Sequence, residues 1–252
     1  RTFKSKHNII SINAPIIKVN IEVAEIIKYV NNSSHALKIS FANEIGNICK
    51  TLKIDSHQVM ELVTMDKKLN LSPYYLKPGF AYGGSCLPKD LRGLRLIAHD
   101  NYLNVPLLDS IENSNENQKL KAIQIIENIN SKNIGIIGLS FKPNTDDFRY
   151  SPLVEVAEHF LGKGYNLSIY DKNLNLSNLI GVNKDYIQKN IPHLSKLLAQ
   201  NIDNVIYNSD IIIISQKFED VENYIEKYSD KYFIDLIKIT DKKYKNYEGI
   251  CW

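Results

Sequence analysis

Hydrophobic and polar positions alternate with two different periods, one in each half of the chain. In the first half, apolar residues recur with helical spacing in four segments, which we predict to be helices: 20–52, 56–65, 86–100 and 106–129. Residues 69–84, rich in Tyr, Pro and Gly, are predicted to form a loop. The stretch VNNSSH, residues 30–35, is poor in helix formers, so the pattern leaves a continuous first helix and a broken one equally open.

The second half consists of short apolar runs that alternate with helical patterns. The predicted strands are 133–139, 166–170, 210–215 and 232–236, and the predicted helices between them are 151–161, 194–198 and 221–227. Strands alternating with helices indicate parallel βαβ units. We therefore predict an α/β chain: a helical domain, then a Rossmann-like open parallel sheet, with the boundary near residues 130–133. Residues 8–18 are expected to hold a short strand and a loop.

Composition excludes several classes of protein. Of 252 residues, 44% are hydrophobic and 23% charged, which is typical of a folded soluble domain. The net charge of +3 is spread along the chain, which argues against nucleic-acid binding. No apolar run approaches the ~20 residues needed to span a bilayer, and no signal peptide is evident. Three cysteines are too few for a disulfide scaffold, and no Cys/His spacing suits a metal. We expect a cytoplasmic protein.

The segment PGFAYGGSCLPKDLRGL, residues 78–94, places Cys86 where a nucleophile could be built. Gly83 and Gly84 would allow a tight turn and close approach to a ligand, and Ser85 would cap the helix that follows. The helix N-terminus and a nearby lysine would favour a thiolate, and Asp90 would lie one turn away on the same face. The simpler interpretation, which spacing alone favours, is a small buried cysteine at a helix start.

A polar stripe on the first helix is the second candidate feature. Lys28, Asn32 and His35 lie at i, i+4 and i+7, and Asn43 falls within roughly 60° of the same face. Such a stripe is usually a solvated face, but a lysine beside an amide would also stabilise an oxyanion. Tyr74 and neighbouring aromatic residues before the glycine pair are consistent with loop packing or with recognition of a base, ribose or sugar.

Four segments in a fixed order resemble the UDP-glucose/GDP-mannose dehydrogenase family, and most of all its GDP-mannose branch. They are IEVAEIIKYVNNSSHALKISFANEIG (21–46), LNLSPYYLKPGFAYGGSCLPKDLRGL (69–94), GLSFKPNTDDFRYSP (138–152) and EGICW (248–252). The resemblance implies oxidation of the C6 alcohol of a nucleotide sugar to a carboxylate, by two hydride transfers to NAD. The intermediates would be a cysteine thiohemiacetal and thioester. GDP-mannose would give GDP-mannuronate, a precursor of acidic polysaccharide.

The resemblance also implies a role for each matching residue. Cys86 would be the nucleophile, Lys28 and Asn32 would stabilise charge and position water, and Asp90 would support that step. Substrate contacts would be His35, Asn43, Tyr74, Tyr75, Lys77, Phe80, Gly83 and Lys142. NAD contacts would be Lys89 and Arg149. The long helices would pair two subunits, with the loop around Lys77 reaching the partner's site, and VNNSSH would stay helical.

The dinucleotide-binding motif of that family, strand–GxGxxG–helix, does not occur in these residues. Gly135 and Gly138 follow a strand but lack the first Gly-x-Gly pair. We therefore expect residues 1–16 to be the tail of an NAD-binding domain, 17–130 a central dimerisation and active-site domain, and 131–252 the nucleotide-sugar domain. Since the chain begins at Arg1, we expect part of a longer dehydrogenase, with negligible turnover alone. The alternatives are a UDP-glucose or UDP-N-acetylhexosamine dehydrogenase, or a non-catalytic dimerisation or nucleotide-sugar-binding remnant.

Overall fold

The computed structural model describes residues 2–4, 9–11, 17–70, 72–140, 148, 150–172, 174 and 194–252. Near the start, strand β1 (Thr2–Lys4) pairs antiparallel with β2 (Ile9–Ser11). The strand predicted within residues 8–18 corresponds to β2, whereas β1 has no counterpart among the predicted elements. That residues 1–16 form the tail of another domain stays a prediction.

The four predicted helices of the first half are confirmed. They are α1 (Ile21–Thr51), α2 (Ser56–Thr64), α3 (Leu87–Asp100) and α4 (Pro106–Glu127). Helix α1 is continuous through VNNSSH, and this decides the alternative that the pattern left open. Ser33 and Ala36 of that region are buried, and a Cβ added to Gly93 of α3 would lie 2.7 Å from the Tyr29 ring. Tight packing between α1 and α3 therefore outweighs the weak local helix propensity.

The second half forms the predicted parallel sheet. Its elements are β3 (Asn133–Ile137), α5 (Pro152–Gly162), β4 (Asn166–Tyr170), α6 (Leu194–Leu197), α7 (Ile202–Tyr207), β5 (Ile211–Ile214), α8 (Val221–Lys227), β6 (Tyr232–Asp235) and β7 (Tyr247–Gly249). The strand order is β4-β3-β5-β6-β7, and every neighbouring pair is parallel. All four isoleucines of β5 are buried, as expected for a strand covered on both faces. Helix α7 and strand β7 were not among the predicted elements.

One hydrophobic core joins the two halves. It contains Ile126 of α4, Ile134 of β3 and Phe160 of α5, together with Ile250 and Cys251 at the end of the chain. The helical half is thus packed directly against the sheet, and this core fixes the position of one half relative to the other. Within the described residues, no helix is long and apolar enough to cross a membrane, and no cluster of His, Cys, Asp or Glu could hold a metal ion.

Candidate active site

Cys86 lies at the N-terminus of α3 with its side chain exposed, whereas Cys49 and Cys251 are buried. The residue that caps α3 is Cys86 rather than Ser85, and no side chain donates to or accepts from the helix end there. The N–H of Asp90 donates to the Cys86 carbonyl at 2.9 Å, so Cys86 is held in the first turn. Its exposure removes the interpretation of a buried structural cysteine and leaves a thiol at the positive end of a helix.

Asp90 is the buried centre of a polar cluster beside Cys86, with only 1% of its side chain exposed. Asn32 Nδ2 donates to Asp90 Oδ2 at 2.6 Å, and Lys28 Nζ lies 3.8 Å from the same oxygen. Lys89 Nζ lies 3.4 Å from Oδ1. Because Lys28 is 58% exposed, its ion pair contributes about 0–1 kcal/mol. The hydrogen bond from Asn32 to a carboxylate contributes about 1.5–3 kcal/mol.

His35 continues the polar stripe and meets the tyrosine-rich loop. Its ring stacks on Tyr75 with centroids 4.6 Å apart and planes inclined by 29°. Burial, and then the charge of Lys38, lower the pKa of His35 and favour its neutral form. Tyr74 packs edge-on against Tyr75 with centroids 4.6 Å apart, but Tyr74 is itself 67% exposed. Tyr75, which lines the groove that contains Cys86, is thus held between the rings of His35 and Tyr74.

The loop before Cys86 is fixed to α1 through Asn43, which is buried. Asn43 Oδ1 accepts from Gly79 N at 2.8 Å, and Asn43 Nδ2 donates to the Phe80 carbonyl at 3.1 Å. The predicted contact of Asn43 with substrate stays a prediction. What the structure gives Asn43 is two hydrogen bonds that hold the loop backbone.

The glycine pair joins the loop to the sheet half. A Cβ added to Gly83 would lie 2.3 Å from the Tyr150 carbonyl oxygen and 2.5 Å from Pro152 Cδ. Gly84 has φ +82° and donates from its N–H to the same Tyr150 oxygen at 3.1 Å. The predicted tight turn is confirmed, but in this structure the close approach is to the chain's own backbone. The pair therefore sets the width of the groove between the two halves.

That groove is a cleft of about 520 Å³. The helical half lines it with Asn32, Ile39, Tyr75, Phe80, Ala81, Tyr82, Gly83, Ser85, Cys86 and Leu87. The sheet half lines it with Ser140, Ser151, Pro152, Leu153, Ser215, Leu236 and Ile237. Several of the latter follow the carboxyl ends of parallel strands, where ligands of open α/β sheets bind. The volume suits a small-molecule ligand, and the mixed apolar and hydroxyl lining suits an aromatic base attached to a polar group.

Comparison with known proteins identifies the family. Residues 22–117 match the central domain of the UDP-glucose/GDP-mannose dehydrogenase family, and residues 135–242 match the UDP binding domain of the same family. The chain belongs to this family.

Three similar proteins are each longer than this chain. GDP-mannose 6-dehydrogenase of Pseudomonas putida is 49% identical over 245 residues, which is 96% of this chain and 56% of that protein. The ternary-complex crystal structure of GDP-mannose dehydrogenase from Pseudomonas aeruginosa is 46% identical, with a TM-score of 0.67 over 95% of this chain and 56% of that one. UDP-glucose dehydrogenase of Pyrobaculum islandicum is 28% identical, with a TM-score of 0.75 over 91% and 51%. The chain thus spans about half the length of the relatives it matches.

The fold brings together some of the predicted dehydrogenase residues and separates others. Asn32, Tyr75, Phe80, Gly83 and Cys86 line the cleft. Asp90 is joined to them by its hydrogen bond from Asn32, and Lys28 by its ion pair with Asp90. Lys77 and Tyr74 are exposed and are not among the lining residues. Lys142 and Arg149 lie outside the described residues. The individual roles expected from the family stay predictions.

Asp171 is a buried site residue to which the sequence analysis gave no role. Its Oδ2 accepts from the backbone N–H groups of Leu139 and Ser140 at 2.7 and 2.9 Å. Gln216 Nε2 donates to the same oxygen at 3.2 Å. Asp171 therefore holds the turn after β3, which presents Ser140 to the cleft. The available signal was an aspartate directly after an apolar strand, a position at the ligand-binding edge of a parallel sheet.

Within the described residues, the glycine turn after β3 differs from a dinucleotide fingerprint. After β3, Gly138 has φ +91°, but a Cβ added there would lie 2.4 Å from Gln216 Cγ. This glycine thus accommodates a neighbouring side chain, whereas the glycines of a dinucleotide fingerprint admit a pyrophosphate. Of the two predicted NAD contacts, only Lys89 is described, and it lies exposed beside Asp90.

Proposed function

We propose that this chain supplies the nucleophile and the nucleotide-sugar cleft of an NAD-dependent GDP-mannose 6-dehydrogenase, which converts GDP-mannose to GDP-mannuronate. One observation carries the proposal: an exposed thiol at a helix N-terminus shares a cleft with the amide of Asn32, which the buried carboxylate of Asp90 holds by a hydrogen bond. The identity of 49% to a GDP-mannose 6-dehydrogenase supports this choice of substrate.

The proposed reaction oxidises a primary alcohol to a carboxylate with the loss of four electrons as two hydrides and the addition of one water. NAD is the proposed acceptor of both hydrides and would be bound by other parts of the full-length protein. Within this chain, the Cys86 thiolate forms a C–S bond with the C6 aldehyde carbon and gives a thiohemiacetal. After the second oxidation has produced a thioester, water attacks its carbonyl carbon. The C–S bond breaks, and Cys86 leaves as a thiolate.

Asn32 and Lys28 are the proposed donors to the oxygen that becomes negative in each addition. Only one N–H of the Asn32 amide is used by Asp90, so the other remains available as a donor. The buried carboxylate of Asp90 keeps both donors on the side of α1 that faces α3. Donors fixed before the reaction stabilise the transition state without reorganisation. Asp90 is thus a positioning group in this mechanism.

Calorimetry on the 252-residue chain tests the substrate. We expect GDP-mannose to bind at least about tenfold more tightly than UDP-glucose, a difference of about 1.4 kcal/mol. Bound GDP-mannose should also protect Cys86 from alkylation by iodoacetamide, with UDP-glucose at the same concentration as the control. Absence of binding, or binding without protection, would contradict the proposal. With NAD and GDP-mannose, the chain alone should produce no NADH.

UDP-glucose is the second candidate substrate, since one observation favours it. The UDP-glucose dehydrogenase structure superimposes with the higher TM-score, 0.75 against 0.67 for the GDP-mannose enzyme. Sequence identity points the other way, with 28% against 46%. Side chains recognise the base and the sugar, so we give identity more weight than backbone similarity. The same calorimetric comparison decides between the two.

We also propose that two copies of the chain associate through α1. Val23, Ile27 and Val30 of this helix are exposed and lie at i, i+4 and i+7 on one helical face. An exposed apolar face of this kind marks an interaction surface. Sedimentation should show a dimer, and Ile27→Glu should shift it to a monomer. A monomeric wild-type chain would contradict this assembly.

A further inference from the structure

The last four residues, Gly249 to Trp252, form a tail that leaves the sheet and packs against the helical half. Ile250 and Cys251 are fully buried. The Cys251 carbonyl accepts a hydrogen bond from Ser56 Oγ of α2 at 2.8 Å. The Trp252 ring packs edge-on against His57 with centroids 5.0 Å apart. The tail is therefore held by α2 and by the common core, although it is the end of the chain.

Within this tail, Cys251 contacts the loop that leads to Cys86. Gln118 Nε2 of α4 donates both to Cys251 Sγ at 3.2 Å and to the Gly79 carbonyl at 2.5 Å. The Gly79 carbonyl is also the nearest acceptor for the Cys251 thiol, at 3.5 Å, with Asn47 Oδ1 at 3.6 Å. Burial raises the pKa of Cys251, so the thiol keeps its proton and remains a donor.

Close packing reinforces these hydrogen bonds. A Cβ added to Gly46 of α1 would lie 2.8 Å from Cys251 Cβ and 2.7 Å from Pro78 Cβ. The loop start and the tail are thus pressed together against one glycine of α1. Only glycine therefore fits at position 46, and the fully buried Cys251 packs closely against α1 there.

The loop held in this way contributes to the cleft. Gly79 N and the Phe80 carbonyl bond to Asn43, and Phe80, Ala81 and Gly83 line the cleft. We propose that Cys251 is a positioning residue: through Gly79 and Gln118 it holds the loop 78–84 and thereby sets the affinity of the cleft for its nucleotide sugar. The part concerning affinity rests on the function proposed above, whereas the positioning of the loop does not.

Hydrogen exchange tests the positioning directly and needs no substrate. In Cys251→Ala, we expect amides of residues 79–84 to exchange about tenfold faster than in the wild type, as expected when buried hydrogen bonds worth about 1.4 kcal/mol are lost. Cys251→Ser, which keeps a donor and acceptor, should restore most of the protection. Wild-type exchange of this loop in Cys251→Ala would overturn the proposal.

Cys49→Ala is the matched control. Cys49 is also a buried cysteine, 6% exposed on α1, and among the described contacts no hydrogen bond joins its side chain to the loop. We expect Cys49→Ala to lower overall stability while leaving loop exchange unchanged. If both alanine variants accelerate loop exchange equally, the effect is general destabilisation and the proposal is wrong.

A second measurement covers the case in which Cys251→Ala does not fold. Trp252 is the sole tryptophan of the chain and does not line the cleft. We expect GDP-mannose to change Trp252 fluorescence in the wild type, and saturated binding without such a change would count against the proposal. If Cys251→Ala folds, its affinity for GDP-mannose should be about tenfold lower than that of the wild type. A wild-type chain that binds no nucleotide sugar would refute the proposed function, while loop exchange would still decide the role of Cys251.

Discussion

Gly83→Ala gives the sharpest test of how the cleft is built. The added Cβ would lie 2.3 Å from the Tyr150 carbonyl oxygen and 2.5 Å from Pro152 Cδ, so the two halves must separate by about 1 Å to reach an ordinary contact. Overpacking of this kind costs about 1–3 kcal/mol. The neighbouring hydrogen bond from Gly84 N to Tyr150 O, 3.1 Å long, would be weakened, at a cost of about 0.5–1.5 kcal/mol.

The expected total is a loss of about 1.5–4.5 kcal/mol of unfolding free energy, combining the overpacking and hydrogen-bond costs. For a chain of this size, the unfolding midpoint should fall by about 2–4 °C per kcal/mol. Calorimetric melting and urea unfolding measure both quantities. Widening the groove should also weaken nucleotide-sugar binding, because the loop and the sheet half would no longer close on the same ligand.

Gly79→Ala is the control, since it makes the same change in the same loop. A Cβ at Gly79 would lie 3.5 Å from the Leu236 carbonyl oxygen, an ordinary contact. We expect this variant to stay within about 0.5 kcal/mol of the wild type. The reasoning fails if Gly83→Ala is as stable as the wild type, or if the two alanines cost the same.

Three further predictions address the site and its surroundings. Asn32→Ala should cost about 1.5–3 kcal/mol in urea unfolding because the buried Asp90 loses its hydrogen bond, whereas Lys28→Ala should cost under about 1 kcal/mol; equal losses would contradict this. Of the three cysteines, one should react rapidly with a thiol reagent in the native chain, and Cys86→Ser should abolish that phase; a fast phase that persists would point to another thiol. Burial, and then the charge of Lys238, lower the pKa of His57 to about 4. As the pH falls, His57 therefore becomes protonated in the unfolded state before it does so in the folded state. Stability should therefore fall as the pH drops from about 6.5 to about 4, and His57→Phe should flatten that part of the curve; an unchanged pH dependence would refute the role of His57.

The arrangement of helices and strands could be predicted from the sequence because periodicity records which side of each element is buried. Prediction from periodicity failed where the hydrophobic pattern of an element is short or ambiguous. Strand β7 has three residues, YEG, and exists because its backbone pairs with β6. Adjacent polar residues also compete for a helix cap. Asp55 rather than the neighbouring Ser56 accepts the first N–H groups of α2, while Ser56 is buried and bonds to Cys251.

The candidate site could be predicted only as far as local spacing reaches. Lys28, Asn32 and His35 share one face of a helix in any arrangement of the chain, and Cys86 precedes Asp90 by one turn. Nothing in that spacing indicates that the stripe faces Asp90, since the two segments are 58 residues apart. The continuity of α1 through VNNSSH was likewise decided by α3, against which its small residues pack.

By itself, the sequence determined the alternation of elements, the polar stripe, the cysteine at a helix start and the family resemblance. The tertiary structure alone decided which partners these features meet: Asp90 for Asn32, the Tyr150 carbonyl for Gly83, and the Gly79 carbonyl for a cysteine 172 residues away. The physical reason is that periodicity specifies a buried face but not the surface that covers it. Contacts between distant segments are chosen by shape and hydrogen-bond complementarity in the folded core.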